Sequence, residues 1–82
     1  MTRIGKLHEK ALQGRTLAFA EFCRLLEAFG YRHRRTTGSH HIYKHPGTGD
    51  RRVIQPRGAE AKPYQVAQFL DMVEEHGLAL EE

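Results

Sequence analysis

The short connections between Gly30 and Pro56 restrict the fold of this chain more than any other feature of its sequence. Three runs that carry basic, aromatic and β-branched residues lie here, separated by Thr37-Gly38 and by the turn-forming run Pro46-Gly47-Thr48-Gly49-Asp50. Because connections this short join neighbouring antiparallel strands, the segment predicts a three-stranded antiparallel sheet. We expect its strands at residues 31–36, 39–45 and 51–55.

Helical periodicity surrounds the predicted sheet. Apolar residues spaced by three and four positions predict three helices, over residues 4–13, 17–29 and 63–76. Thr16 is a candidate N-cap for the second helix, and Gly30 is suited to end it. Residues 57–62 are predicted to form a loop between the sheet and the last helix.

The resulting element order, α-α-β-β-β-α, predicts an α+β fold with a single sheet. Two helices can cover only one face of such a sheet, so the other face stays exposed to solvent and carries the basic residues. Two interpretations of the first helix stay open. It either packs on the domain and caps a small core, or docks against a partner chain.

The size of the chain limits where a functional site can lie. A chain of 82 residues forms one domain and buries only about 60–65% of its unfolded surface, which favours a site on the surface. The single cysteine, Cys23, excludes an internal disulfide, as is usual in a reducing compartment. No apolar run approaches the roughly 20 residues of a membrane-spanning helix. We expect a soluble, cytoplasmic protein.

Positive charge is concentrated in the middle of the chain. From Arg32 to Lys62 there are eight basic residues and two acidic ones, a net charge of +6, whereas the remaining residues have a net charge of −3. A one-sided positive field attracts polyanions, and phosphate contacts supply most non-specific affinity for nucleic acids. Charge alone leaves two interpretations open: a nucleic-acid-binding surface, or a solvated face that keeps the protein soluble.

Four of the six histidines lie in this basic window: His33, His40, His41 and His45. A histidine can take and give a proton near neutral pH, which RNA cleavage through the 2′-hydroxyl requires. Neighbouring cations can stabilise the charge on the phosphate, so this chemistry needs no metal ion. A zinc site is not expected, because His41 and His45 lie about 13 Å apart along a strand.

The start of the last predicted helix is a second place where a phosphate could bind. Lys62 precedes Pro63 there, and the free backbone N–H groups of a helix N-terminus bind anions. Simple initiation of the helix explains the same residues, so both interpretations stay open.

The run Thr37-Gly38-Ser39-His40-His41-Ile42-Tyr43-Lys44-His45-Pro46 closely resembles the signature of the HicA toxin family, also called YcfA-like proteins. Residues 25–31 are similar to the end of the family's first helix and its glycine. The segment from Lys62-Pro63 to Gly77-Leu78 is similar to its C-terminal helix. The resemblance covers roughly residues 17–78.

This resemblance implies a double-stranded-RNA-binding-domain-like fold, α-β-β-β-α, formed by residues 17–80, with residues 1–16 as an N-terminal helical extension. It also implies the toxin of a type II toxin–antitoxin system, an mRNA endoribonuclease (mRNA interferase) that a HicB-type antitoxin neutralises. The family's catalytic histidine follows Gly-Ser, which assigns that role to His40, with Gly38 and Ser39 shaping the turn that positions it.

We therefore expect an mRNA-binding surface around His40, without a metal ion or cofactor. Its expected residues are Arg34, Arg35, Ser39, His41, Lys44, Arg51, Arg52 and Lys62. Two alternatives stay open. The chain could be a non-catalytic RNA-binding module, whose affinity would fall steeply with salt. It could also be an interaction protein whose N-terminal helix docks on a partner.

Overall fold

The computed structural model describes residues 3–80, which form three helices, a three-stranded antiparallel sheet and a two-stranded hairpin. The elements are α1 (Arg3–Leu12), α2 (Phe19–Ala28), β1 (Arg32–Thr37), β2 (His40–Lys44), β3 (Arg51–Ile54), β4 (Pro56–Arg57), β5 (Glu60–Ala61) and α3 (Pro63–Glu75). The sheet has the strand order β1-β2-β3, and β4 and β5 form a separate hairpin. This order confirms the α+β class and the double-stranded-RNA-binding-domain-like arrangement, with α1 as the extra helix. No helix within residues 3–80 is long and apolar enough to cross a membrane.

Two hairpin connections set the register of the sheet. Gly38, with a φ of 60°, takes the glycine position of the two-residue turn before β2, which begins at His40. Between β2 and β3 the backbone N–H of His45 donates to the carbonyl of Asp50 at 2.8 Å, which leaves a four-residue loop. The start of β2 therefore lies beside the end of β3.

The hydrophobic core lies between the sheet and the helices α2 and α3. Four aromatic rings meet there edge to face, with Phe69 on α3 lying 5.6–5.7 Å from Phe22, Phe29 and Tyr31. All four side chains are at most 2% exposed. Burial of a side chain of this size contributes about 1.5–3 kcal/mol, so the four rings together supply a large part of the stability of the small core.

Helix α1 packs on α2 and extends the core. Ala11 is buried, and the ring of His8 lies edge-on to Phe29 at 4.9 Å. Lys10 forms a 3.4 Å ion pair with Glu21. Of the two interpretations of this segment, the structure therefore shows the one in which the helix packs on the domain.

Two local predictions were wrong, and one set of contacts explains both. Residues 57–62, predicted as a loop, contain the hairpin β4–β5, and the N-cap of α2 is Ala18 rather than Thr16. The carbonyl of Leu17 accepts the N–H of Ala61 at 2.9 Å. The chain before α2 is thus extended against this hairpin, which delays the start of the helix.

Candidate functional site

The sheet divides the expected site residues between two faces. Side chains alternate along a strand, so the buried Tyr43 points to the helices while Ile42 and Lys44 point to the opposite face. We call this opposite face the outer face. Its strand positions are 32, 35, 37, 40, 42, 44, 51 and 53. No residue of β1, β2 or β3 is acidic, so every charge that these strands place on the outer face is positive.

Four cations on the outer face surround a shallow pocket of about 320 Å³. Its lining residues are Arg34, Arg35, Ile42, Lys44 and Arg51. A β-bulge in β1 interrupts the alternation, which lets two successive arginines reach the same pocket. Ile42 is only 8% exposed and supplies an apolar surface between the cations. Such a pocket can bind a phosphate through its cations.

Two of the expected RNA-binding residues lie on the helix side of the sheet. The ring of His41 lies 4.8 Å from Phe19, edge to face. Arg52 is paired with Tyr43 across the strands, and its guanidinium forms a 3.1 Å ion pair with Asp50. The structure therefore does not bring His41 and Arg52 together with the four cations of the pocket.

His40 begins β2 on the outer face and is exposed to solvent. It lies two residues before Ile42 on the same face, which corresponds to about 7 Å along the strand. Its ring Nε2 lies 3.0 Å from Gln55 Nε2, and the same amide nitrogen donates to the hydroxyl of Ser39 at 3.3 Å. The imidazole is thus open to a ligand and held on one side by Gln55.

Gln55, which sequence reasoning missed, connects His40 to the start of α3. Its backbone N–H donates to Oε1 of Gln65, which is 8% exposed, at 3.0 Å. Its side-chain Oε1 accepts a hydrogen bond from the ammonium of Lys62 at 2.9 Å. A lone glutamine at a strand end carries no sequence signal. The hairpin register could have found it, because pairing of His41 with Ile54 places residue 55 beside residue 40.

His45 has a structural role in the loop between β2 and β3. Its Nδ1 accepts the backbone N–H groups of Gly47 and Thr48 at 3.0 and 3.1 Å. Its Nε2 lies 3.1 Å from the carbonyl of Phe29 and donates to it. These contacts hold the ring proton on Nε2 and use both ring nitrogens within the protein.

Shifted pKa values occur on the helix side of the sheet. Burial raises the pKa of the Cys23 thiol, and burial together with a hydrogen bond to Cys23 raises the pKa of Tyr43. Both groups therefore stay protonated near neutral pH, and Cys23 is not a thiolate nucleophile. Among residues 3–80, no three His, Cys, Asp or Glu side chains come together as the ligands of a metal ion would.

The part of the chain that carries these elements matches a known protein family. A family model described as "HicA toxin of bacterial toxin-antitoxin" matches residues 19–74, which are 56 of the 82 residues. The match begins with α2, ends in the last turn of α3 and includes His40 and the cationic pocket. Neither a curated protein nor a solved structure matches the chain at a significant level.

Proposed function

This chain belongs to the HicA toxin family, and from that membership we propose that it is a toxin that cleaves mRNA with His40 as its acid–base residue. One observation carries the proposal. His40 is exposed on the outer face, on the same strand whose Ile42 and Lys44 line the cationic pocket. A single RNA strand lying along β2 would contact both.

The proposed cleavage uses the 2′-hydroxyl of the RNA as the nucleophile. His40 accepts the 2′-hydroxyl proton, the 2′-oxygen forms a bond to the adjacent phosphorus, and the bond from phosphorus to the 5′-oxygen breaks. The leaving 5′-oxygen takes up a proton, which water can supply because the site is exposed. The products are a 2′,3′-cyclic phosphate end and a 5′-hydroxyl end.

Cations would stabilise the negative charge that develops on the phosphate during this reaction. The ammonium of Lys62 lies next to Gln55 and hence near His40, and only one of its three protons is used in that hydrogen bond. The pocket cations would bind neighbouring phosphates of the same strand. Positioned cations of this kind provide electrostatic stabilisation, so we propose a reaction that needs no metal ion.

A HicB-type antitoxin would inhibit the reaction by covering the outer face. That face combines the four pocket cations with Val53, an apolar side chain that is 37% exposed. An acidic partner surface with an apolar centre would complement both features. Because RNA needs the same cations, antitoxin and RNA would compete for this face.

Residues 17–80 would form the family domain and residues 1–16 an extension of it. The family match begins at the first residue of α2, and α1 precedes it. In this proposal the extension stabilises the hydrophobic core, because His8 of α1 packs against Phe29.

The test of the proposed function is cleavage of a labelled single-stranded RNA in the presence of EDTA. Wild type is compared with His40→Ala and with the matched control His76→Ala, at the exposed C-cap of α3. We expect wild type and control to release cyclic phosphate ends, and His40→Ala to be slower by about 100-fold or more. Cleavage by His40→Ala at the wild-type rate would refute the role of His40. Binding of RNA by wild type without cleavage would favour the non-catalytic module.

A further inference from the structure

Gln55 bridges two groups of the proposed site that differ in what they can donate and accept. Its Oε1 lies 2.9 Å from the ammonium of Lys62, and its Nε2 lies 3.0 Å from His40 Nε2. An ammonium group can only donate hydrogen bonds, so the oxygen of the amide has to face Lys62. The amide nitrogen, which can only donate, therefore faces His40.

This orientation determines which ring nitrogen of His40 carries the proton. Nε2 has to accept the amide N–H of Gln55, so the proton of the neutral ring lies on Nδ1. A reversed amide would point its N–H groups at the ammonium of Lys62 and lose that hydrogen bond. The backbone of Gln55 is itself held by the buried Gln65, which limits the movement of the amide.

We propose that Gln55 and Lys62 are positioning residues that hold the proton of the neutral His40 ring on Nδ1 and keep Nε2 as the proton-accepting atom. This inference rests on the proposed function, because it assigns the atom that would take the 2′-hydroxyl proton. Ser39 completes the arrangement, since its hydroxyl lies 3.3 Å from the same amide nitrogen. Nε2 has one lone pair, so the Gln55 N–H leaves it and donates to the Ser39 hydroxyl when the 2′-hydroxyl proton is transferred to Nε2.

The test is the long-range ¹H–¹⁵N correlation spectrum of the histidine rings, recorded on the full-length protein without RNA. At about pH 8.5 an ordinary imidazole is neutral, and the spectrum distinguishes a proton on Nδ1 from one on Nε2. The His40→Ala variant identifies the His40 signals. His45 is an internal reference, because its hydrogen bonds to the loop and to Phe29 hold the opposite tautomer.

We expect the Nδ1–H pattern for His40 in the wild-type protein. Gln55→Glu replaces the donating amide by a carboxylate that accepts, so it should convert His40 to the Nε2–H pattern. Lys62→Met frees the amide to rotate and should give a mixture of both forms. The control Gln68→Glu makes the same chemical change at an exposed position of α3 and should leave His40 as in wild type. An unchanged His45 pattern in each variant shows that the fold is retained.

Two results would overturn the inference. The first is a wild-type His40 that shows either the Nε2–H pattern or the tautomer mixture of free histidine. The second is a His40 pattern that does not change in Gln55→Glu. Cleavage kinetics add a second readout. Gln55→Leu should lower kcat by about 10-fold while KM changes by about twofold or less. Absence of cleavage by the wild-type protein would refute the proposed function, whereas the ring spectrum still decides which atom of His40 carries the proton.

Discussion

The buried hydroxyl of Tyr31 donates a 2.6 Å hydrogen bond to Oδ2 of Asp50, which joins the aromatic core to the loop between β2 and β3. The same carboxylate forms a 3.1 Å ion pair with Arg52. Burial, together with the hydrogen bond to Asp50, raises the pKa of Tyr31, so its phenol stays protonated and donates throughout the neutral range. The loop that sets the register of β2 and β3 is therefore anchored in the core.

Removal of this hydrogen bond should destabilise the protein. Tyr31→Phe leaves the Asp50 carboxylate mostly buried without one of its donors, so we expect a loss of about 1–3 kcal/mol in the free energy of unfolding. Urea denaturation followed by circular dichroism measures this loss. Tyr64→Phe is the matched control, because Tyr64 is 53% exposed and its hydroxyl accepts a long, weak hydrogen bond of 3.4 Å from Gln65, so we expect the stability to change by about 0.5 kcal/mol or less. Equal losses in the two variants would show that the bond to Asp50 contributes nothing.

The fold was predictable where local sequence pattern decides it. Three features act within a few residues of their own positions: the apolar stripe around Phe22, Gly30 at the end of α2, and Gly38 in the turn of the first hairpin. The hairpin β4–β5 and the late start of α2 were missed because they depend on each other. Backbone pairing of Leu17 with Ala61 links positions that are distant in sequence, and no local pattern reports it.

The residue types of the candidate site were predictable, but which of its side chains lie next to each other was not. A five-residue loop over 46–50, as predicted, would place Pro56 beside His40, whereas the observed loop, closed by His45 and Asp50, places Gln55 there. A change of one residue in register also exchanges the two faces of a strand. For this reason the sequence could not tell which of the expected RNA-binding residues share the outer face.

His45 should matter for stability and not for RNA cleavage. His45→Ala removes the acceptor of the Gly47 and Thr48 N–H groups and the donor to the Phe29 carbonyl, so we expect a loss of about 2 kcal/mol in the free energy of unfolding. Thermal unfolding measures the loss. In the RNA cleavage assay, at a temperature where the variant is folded, its rate should match wild type. A loss of cleavage as large as that of His40→Ala would contradict the structural role of His45.

Glu21 should make stability depend on acid pH. The backbone N–H of Ala18 donates to its carboxylate at 2.9 Å and, with help from the Lys10 ammonium, lowers the pKa of Glu21. A lowered pKa in the folded state stabilises the protein fully above the unfolded glutamate pKa of about 4.3, and this contribution is lost as pH falls through the folded value. Glu21→Gln should therefore be less stable than wild type at pH 7 by about 0.5–1 kcal/mol, since the group is partly exposed.

Urea midpoints of wild type and Glu21→Gln, measured from neutral to strongly acidic pH, should converge as Glu21 becomes protonated. Lys10→Met leaves the Ala18 N–H in place, so it should reduce the pH dependence less than Glu21→Gln does. A difference between wild type and Glu21→Gln that stays the same across this range would mean that the charge of Glu21 does not stabilise the fold.

The outer-face cations should determine how RNA binding responds to salt. Binding is measured with His40→Ala as the parent protein, so that the RNA stays intact. Each phosphate contact that is lost should reduce the steepness of log K for RNA binding against log salt concentration by about 0.7 for a single strand. Lys44→Ala and Arg51→Ala should each show this reduction, because both side chains line the pocket. Arg24→Ala, at an exposed position of α2 on the helix side of the sheet, is the matched control and should leave the slope unchanged. Arg52→Ala should lower the free energy of unfolding and leave the slope nearly unchanged, since its guanidinium is already paired with Asp50. Equal effects of Lys44→Ala and Arg24→Ala on the slope would exclude the outer face as the RNA-binding surface, because the field of the whole chain would then account for binding.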